Sequence, residues 1–149
     1  MIKIDDVHWD DPDSFRLREA QRVELDARYG YDSEPGAKPT AETVAAFLVA
    51  RDEGGTALGC GALRLLGPGK AEVKRMYVTP EARGTGVSVA ILRALEDRAR
   101  ELGITRLLLE TGTSQPDAIR FYQREGYERI ENFGYYVGGD ISVCFARDL

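Results

Sequence analysis

A long amphipathic stretch lies in the middle of the chain. From Val87 to Leu102, apolar residues recur every three or four positions, and charged residues occupy positions between them. A period of about 3.6 residues is that of an α-helix with one buried face. Gly103 follows at once, and glycine commonly ends helices. The pattern therefore predicts a helix over residues 87–102.

Three apolar runs joined by short turns precede this helix. They cover residues 44–51, 56–66 and 70–78, with Gly-Gly in the first turn and Gly-Pro-Gly in the second. Such runs predict an antiparallel meander of three strands. In the third run the alternation of apolar residues slips between Val73 and Met76. Either a β-bulge shifts the side-chain phase there, or both faces of the strand are covered.

The rest of the chain continues to mix strands and helices. Residues 2–4 are typical of a strand, and a helix is expected from an N-cap at Ser14 to Tyr29. After the long helix, the expected elements are a strand over 105–111, a short helix ending at Glu125, and strands over 127–130 and 141–147. Antiparallel strands followed by crossover helices predict an α+β, or mixed α/β, fold rather than a doubly wound parallel sheet.

Composition and charge narrow the possible partners. The 149 residues contain 43% hydrophobic residues, enough for the core of one domain over residues 1–149. The formal net charge is −5 and no basic block occurs, so a nucleic-acid partner is not expected. No run reaches the roughly 18 apolar residues of a membrane span, and no signal-peptide core is present, so we expect a cytoplasmic protein without a membrane partner.

Cysteine and histidine are too few for a metal centre or a disulfide framework. Cys60 and Cys144 both lie in strand-like runs, where they are expected to be small buried residues. The single histidine is His8, near the start of the chain. No metal site is predicted, because no Cys/His cluster exists to form one.

A glycine-rich turn separates the third predicted strand from the long helix. Residues 83–88 read Arg-Gly-Thr-Gly-Val-Ser. The first N–H groups of a helix have no partners within it, and the helix dipole favours negative charge at that end. Glycine lets the backbone approach a phosphate closely. The turn therefore predicts a binding site for a phosphorylated small molecule.

Three segments, in this order, resemble the GNAT superfamily of N-acetyltransferases. Residues 76–80 are similar to the family's strand before the phosphate loop. Arg83 and Gly86 match the acetyl-CoA signature of Gln or Arg, two residues, Gly, one residue, then Gly or Ala, although Ser88 stands at the last position. Residues 118–127 are similar to a later helix that carries a tyrosine and ends at Gly-Tyr. The resemblance implies a central, mostly antiparallel twisted sheet with helices on both faces.

The resemblance also implies acetyl-CoA as the cofactor. Its pyrophosphate would bind the backbone N–H groups of the glycine-rich turn, and its pantetheine arm would pair with the strand before that turn. The implied cofactor contacts are Met76, Tyr77, Val78, Arg83, Gly84, Thr85, Gly86, Val87, Ser88 and Tyr122.

The implied activity is transfer of an acetyl group to a primary amine by direct attack in a ternary complex. A non-catalytic acyl-CoA sensor or docking domain with the same fold is the alternative. A nucleotide-phosphate site is disfavoured, since the chain lacks a Gly-Lys-Ser/Thr motif. The partner is expected to be a small-molecule or protein amine, and the chain a monomer or homodimer.

Catalysis needs a proton donor for the leaving thiolate and a base for the amine. Tyr122 resembles the family's proton donor, although a tyrosine at such a position can also serve only in packing. A backbone N–H near Met76 or Tyr77, exposed by a bulge, is a candidate to polarise the thioester carbonyl. Glu72 is the preferred base and Glu110 the second candidate, and a chain of waters can replace a single base.

The acceptor pocket is expected to lie outside the signature segments. Candidate walls are the helix over 15–29, the loop over 30–39 and the aromatic loop over 133–139. The aromatic loop can either contact the acceptor or simply cover the sheet.

Overall fold

In the computed structural model, which describes residues 1–149, seven strands form one sheet in the order β1-β2-β3-β4-β5-β7-β6. Only β4 and β5 pair in parallel, and every other neighbouring pair is antiparallel. The predicted α+β fold with a mostly antiparallel sheet is confirmed. The strands are β1 Lys3–Asp6, β2 Val44–Arg51, β3 Ala57–Gly67, β4 Lys70–Val78, β5 Arg106–Gly112, β6 Glu128–Ile130 and β7 Ser142–Asp148.

Helices cover both faces of this sheet, as expected. They are α1 Pro12–Tyr29, α2 Val87–Glu101 and α3 Pro116–Arg124. Alternate residues of β2 divide between the two faces: Leu48 packs in the core with α2, whereas Phe47 and Val49 pack with Leu17 of α1. None of the helices is long and apolar enough to cross a membrane.

The first helix begins earlier than predicted. Asp11, not Ser14, is the N-cap, and its carboxylate accepts a hydrogen bond from the N–H of Asp13 (2.9 Å). Pro12 occupies the first turn, where a missing N–H has no cost. Ser14 is fully buried inside the helix, and its hydroxyl donates to the carbonyl oxygen of Trp9 (2.7 Å). Ser14 therefore bonds to the segment before the helix instead of capping it, and the sequence alone does not distinguish the two roles.

A β-bulge interrupts β4 where the apolar pattern slips. Arg75 and Met76 together stand opposite Gly61 of β3. Arg75 has a φ of 58°, a left-handed conformation that is uncommon for a residue with a side chain. The thiol of buried Cys60 donates to the carbonyl oxygen of Arg75 (3.2 Å), and the Gln21 amide donates to that of Met76 (2.8 Å). Of the two explanations for the slip, the β-bulge is therefore present, and α1 is bonded directly to it.

Strands β4 and β5 separate soon after they meet. Their parallel pairing is confined to 70–72 with 106–108. Beyond that point β4 remains paired with β3 up to Val78, while β5 remains paired with β7 up to Gly112. The two strands therefore leave a wedge-shaped opening towards their C-terminal ends, and one edge of β4 is unpaired there.

Candidate active site

The turn between β4 and α2 leaves a run of backbone donors without partners. None of the N–H groups from Gly84 to Val89 donates a hydrogen bond within the chain. Gly84 and Gly86 have left-handed φ angles of 78° and 89°, and a Cβ added to either would point into open space. A series of free N–H groups at the start of a 15-residue helix is well suited to bind a phosphate.

Arg83 holds this turn in place rather than contributing to the free run. Its N–H donates to the carbonyl oxygen of Pro80 (3.4 Å). Its guanidinium donates to the carbonyl oxygen of Val78 (3.0 Å) and to the carboxylate of Glu24 on α1 (2.8 and 3.1 Å). The run of unpaired backbone N–H groups therefore covers residues 84–89, whereas the sequence predicted residues 83–88.

The opening between β4 and β5 leads into a cavity of about 350 Å³. Residues of α1, α3 and the loop over 30–39 complete its wall, together with 73–76 of β4 and 110–112 of β5. Of the residues expected near the thioester, Met76 and Tyr122 line the cavity. Tyr77 and Val78 are buried and do not line it, so they can contribute only through their backbone.

Tyr122 presents a protonated hydroxyl to this cavity. Its ring packs edge-on against Tyr127 and lies 6.4 Å from the ring of Phe145, between centroids. The hydroxyl has no hydrogen-bond partner within the chain. Every fully buried polar side-chain atom of the chain does have a partner, so the Tyr122 hydroxyl is not fully buried and is accessible from the cavity. Burial raises the pKa of Tyr122 above its ordinary value, which keeps the phenol protonated at neutral pH.

Glu110 is the carboxylate in the cavity wall that is free to exchange a proton. Its only side-chain hydrogen bond comes from the Ser142 hydroxyl (2.8 Å), and it forms no ion pair. Burial raises the pKa of Glu110 to about 6, although the bond from Ser142 opposes the shift. A carboxylate with that pKa is ionised at neutral pH and is still a useful base.

Glu72, the preferred base in the sequence, occupies a different environment. It is 1% exposed and does not line the cavity. Its carboxylate accepts hydrogen bonds from the Tyr136 hydroxyl (2.5 Å) and the Arg64 guanidinium (2.8 Å), and the Lys74 ammonium lies 3.7 Å away. Because these partners occupy both carboxylate oxygens, Glu72 forms a buried structural ion pair outside the cavity wall.

The loop over 30–39 is held against the cavity wall by Glu34. The Glu34 carboxylate accepts hydrogen bonds from Arg75 (2.7 and 3.0 Å), Lys74 (2.7 Å) and Lys38 (3.1 Å). Burial alone would raise the pKa of Glu34, but the bonds and charges of Arg75 and Lys74 outweigh it and lower the pKa. Sequence reasoning placed this loop near the pocket without recognising Glu34 as its anchor.

The aromatic loop over 133–139 does not line this cavity, which favours the alternative that it covers the sheet. Tyr136 is buried, and its hydroxyl is bound between Glu72 and Lys74. Phe133 packs edge-on against the ring of Tyr136, with centroids 5.2 Å apart. Tyr135 lies over Gly36, where an added Cβ would overlap its ring. The loop therefore supports the sheet and the 30–39 loop from outside.

This arrangement predicts a stability effect without a catalytic one. Tyr136→Phe leaves the buried Glu72 carboxylate without its 2.5 Å donor and Lys74 without an acceptor at 3.0 Å. Leaving such groups unsatisfied costs about 1–3 kcal/mol, so the melting temperature should fall while the Kd for acetyl-CoA stays unchanged. Tyr135→Phe is the control, because that side chain is 58% exposed. Equal melting temperatures for both variants would contradict this role.

Comparison with known proteins agrees with the fold. The model of the acetyltransferase (GNAT) family matches residues 3–127. The chain belongs to the GNAT family of acetyltransferases. This GNAT chain is 41% identical over 104 residues to an IAA acetyltransferase of Azospirillum brasilense, a match that covers 69% of the chain and 67% of that protein. The matches to the curated relatives span between 26% and 67% of the length of those proteins.

Solved GNAT structures share the whole architecture. A putative acyl-CoA N-acyltransferase from Klebsiella pneumoniae superposes with a TM-score of 0.85 at 34% identity, over 100% of this chain and 98% of that one. A GNAT acetyltransferase from Elizabethkingia anophelis, solved with acetyl-CoA bound, gives 0.74 at 15% identity, over 99% and 98% of the two chains. At that identity the likeness concerns the fold alone. Members of the family use acetyl-CoA.

Proposed function

We propose that this GNAT chain, as one domain over residues 1–149, transfers the acetyl group of acetyl-CoA to a primary amine. The observation that carries the proposal is that a protonated phenol, Tyr122, and an ionisable carboxylate, Glu110, line the same cavity. Attack is direct, within a ternary complex. A cavity of about 350 Å³ is at the small end of ligand pockets and favours a small-molecule amine over a protein amine.

The residues present fit acetyl-CoA. The free N–H groups from Gly84 to Val89 would hold the pyrophosphate at the start of α2. The edge of β4 that faces the opening, at 73–78, would offer main-chain groups to the pantetheine amides, although the carbonyl oxygens of Arg75, Met76 and Val78 already accept bonds from Cys60, Gln21 and Arg83. When bound, acetyl-CoA supplies an activated acetyl thioester.

Two side chains would move the protons of the reaction. The amine nitrogen forms the new amide bond as the thioester C–S bond breaks. Glu110 receives the proton that the amine loses, directly or through a water, and Tyr122 gives a proton to the departing sulfur. Solvent then returns the proton from Glu110 to Tyr122, which restores both groups. A backbone N–H at the bulge, near Met76 or Tyr77, would stabilise the oxyanion.

Glu110 is proposed as the base in preference to Glu72. Glu110 lines the cavity and forms no ion pair, although the charge of Lys74 acts on it at longer range, whereas Glu72 is buried and bound by Arg64 and Tyr136. Protonation of Glu72 would also break a buried ion pair, which costs far more than protonation of an unpaired carboxylate.

Tyr122→Phe tests the proton donor with minimal structural change. The variant keeps the ring packing against Tyr127 and Phe145, and the hydroxyl it loses has no partner within the chain. We expect kcat to fall at least about tenfold while the Kd for acetyl-CoA is unchanged, since only proton donation in the transition state is lost. A variant with full kcat, when chemistry limits turnover, would remove Tyr122 from the mechanism.

A further inference from the structure

The charged side chains in the cavity wall are unevenly paired. All of them take part in ion pairs within the chain except two, Arg18 and Glu110. The cationic residues Lys74 and Arg75 share the Glu34 carboxylate. Glu110 already has a role as the proposed base. Arg18 is therefore the one cation of the wall that has no carboxylate partner.

Arg18 is held rigidly with part of its guanidinium free. Its Nε donates to the Ser14 hydroxyl (3.2 Å), and its Nη2 donates to the carbonyl oxygen of Trp9 (2.9 Å). The guanidinium carbon lies 3.8 Å from the centroid of the Trp9 ring, so the plane is fixed by stacking as well. Nη1 makes no hydrogen bond within the chain and retains two donors.

The surroundings of Arg18 make an anion favourable beside it. Burial and the like charge of Arg75 lower the pKa of Arg18, and the charges of Asp10 and Glu19 oppose this shift without reversing it. Arg75 is paired with the Glu34 carboxylate, which it shares with Lys74, whereas Arg18 has no carboxylate partner. A part-buried guanidinium without a counter-ion is unfavourable. An anionic group of a ligand at this position would be stabilised by the positive charge of Arg18 and by hydrogen bonds from its free N–H groups.

We propose that the acceptor is a small amine that also bears a carboxylate, such as an amino acid. Arg18 binds the carboxylate, and Glu110 faces the amine. An amino acid is small enough for a cavity of about 350 Å³, and its carboxylate can accept the free donors of Nη1. The inference rests on the proposed acetyl transfer and specifies its acceptor.

Matched acceptors and a matched variant test this assignment. The acceptors are amino acids, their carboxamides, aminoalkylphosphonates and simple polyamines, each assayed with acetyl-CoA. Arg18→Gln removes the free cation. Arg22→Gln removes a cation of the same wall that is already neutralised by Glu19 and Asp26, and it serves as the control. Arg18→Lys keeps the charge without the fork and is assayed if Arg18→Gln does not fold.

The expected result is selectivity that depends on Arg18 alone. Wild-type protein should use amino acids at least about tenfold better than their carboxamides, in kcat/KM. Arg18→Gln should lose about 10- to 100-fold with amino acids, mainly in KM, since a hydrogen bond between charged groups is lost. Its loss with carboxamides should be much smaller, and its Kd for acetyl-CoA should not change. Arg22→Gln should keep the wild-type preference, and Arg18→Lys should retain part of it.

The other possible outcomes contradict either the carboxylate assignment or the proposed acetyl transfer. Equal use of amino acids and carboxamides by the wild type, or equal losses with both in the Arg18 variants, overturns the carboxylate assignment and leaves acetyl transfer intact. Preference for phosphonates replaces the carboxylate with a tetrahedral anion and overturns the assignment in the same way. Absence of transfer to every acceptor overturns the proposed function itself, and the inference with it.

Discussion

Gly86→Glu is expected to abolish binding of coenzyme A while the protein stays folded. Gly86 has a φ of 89° at the N-cap of α2, and its missing side chain would point into open space beside the free N–H groups. A glutamate there would project a negative charge where the pyrophosphate is expected. Juxtaposed like charges cost several kcal/mol, and about 1.4 kcal/mol is a tenfold change in affinity, so the Kd should rise at least about 100-fold.

Gly103→Glu is the matched control for this substitution. Gly103 follows the other end of α2, has a φ of 77° and also faces open space, so the same side chain meets the same backbone strain. That strain is roughly 1–2 kcal/mol, less than the total stability of a typical domain. Calorimetry should therefore find wild-type affinity in Gly103→Glu. Unchanged affinity in folded Gly86→Glu would show that the phosphates bind elsewhere.

Glu110→Gln is expected to reduce kcat at least about 100-fold, within the range for loss of a general base. Glutamine keeps the size of the side chain and can still pair with the Ser142 hydroxyl, so the fold should be retained. Glu128→Gln on the same sheet is the control, because Glu128 is exposed and lies outside the cavity. A Glu110→Gln variant with more than a tenth of wild-type kcat would remove Glu110 as the base.

The pH dependence of the reaction should report the same group. A base acts in its deprotonated form, so activity is present above the pKa of Glu110, about 6, and is lost as the pH falls through it. The kcat/KM profile of the wild type should therefore contain an ionisation near pH 6. In Glu110→Gln that ionisation should be missing. Its persistence in the variant would assign it to another group.

The features predicted correctly from the sequence are those that local rules determine. The helix of α2 follows from a period of apolar residues within one segment, and its predicted bounds differ from the structure only at Leu102. The bulge at Arg75 was visible because one extra residue reverses the side-chain phase of a single strand. The unpaired N–H groups between β4 and α2 depend on two glycines and the start of a helix, which are adjacent in the chain.

The features that were missed depend on contacts between distant segments. Glu72 and Glu110 lie in similar sequence contexts, each in an apolar strand, and their environments differ only because β4 and β5 diverge. The hydroxyl of Tyr136 comes from a loop 64 positions away and engages Glu72 beneath the cavity. Arg18 is unpaired because the neighbouring carboxylates from other segments pair with other cations, and the sequence of α1 alone does not indicate this.

Transfer of a labelled acetyl group from acetyl-CoA to an amine is the most direct test of the proposed activity. Purified protein is incubated with labelled acetyl-CoA and the acceptors above, and the amide and free coenzyme A are quantified by mass spectrometry. The account predicts catalytic turnover, with amide and free coenzyme A in equal amounts, and its loss in Glu110→Gln and Gly86→Glu. Tight binding of acetyl-CoA with no amide formed from any acceptor would contradict it and identify a sensor or docking domain.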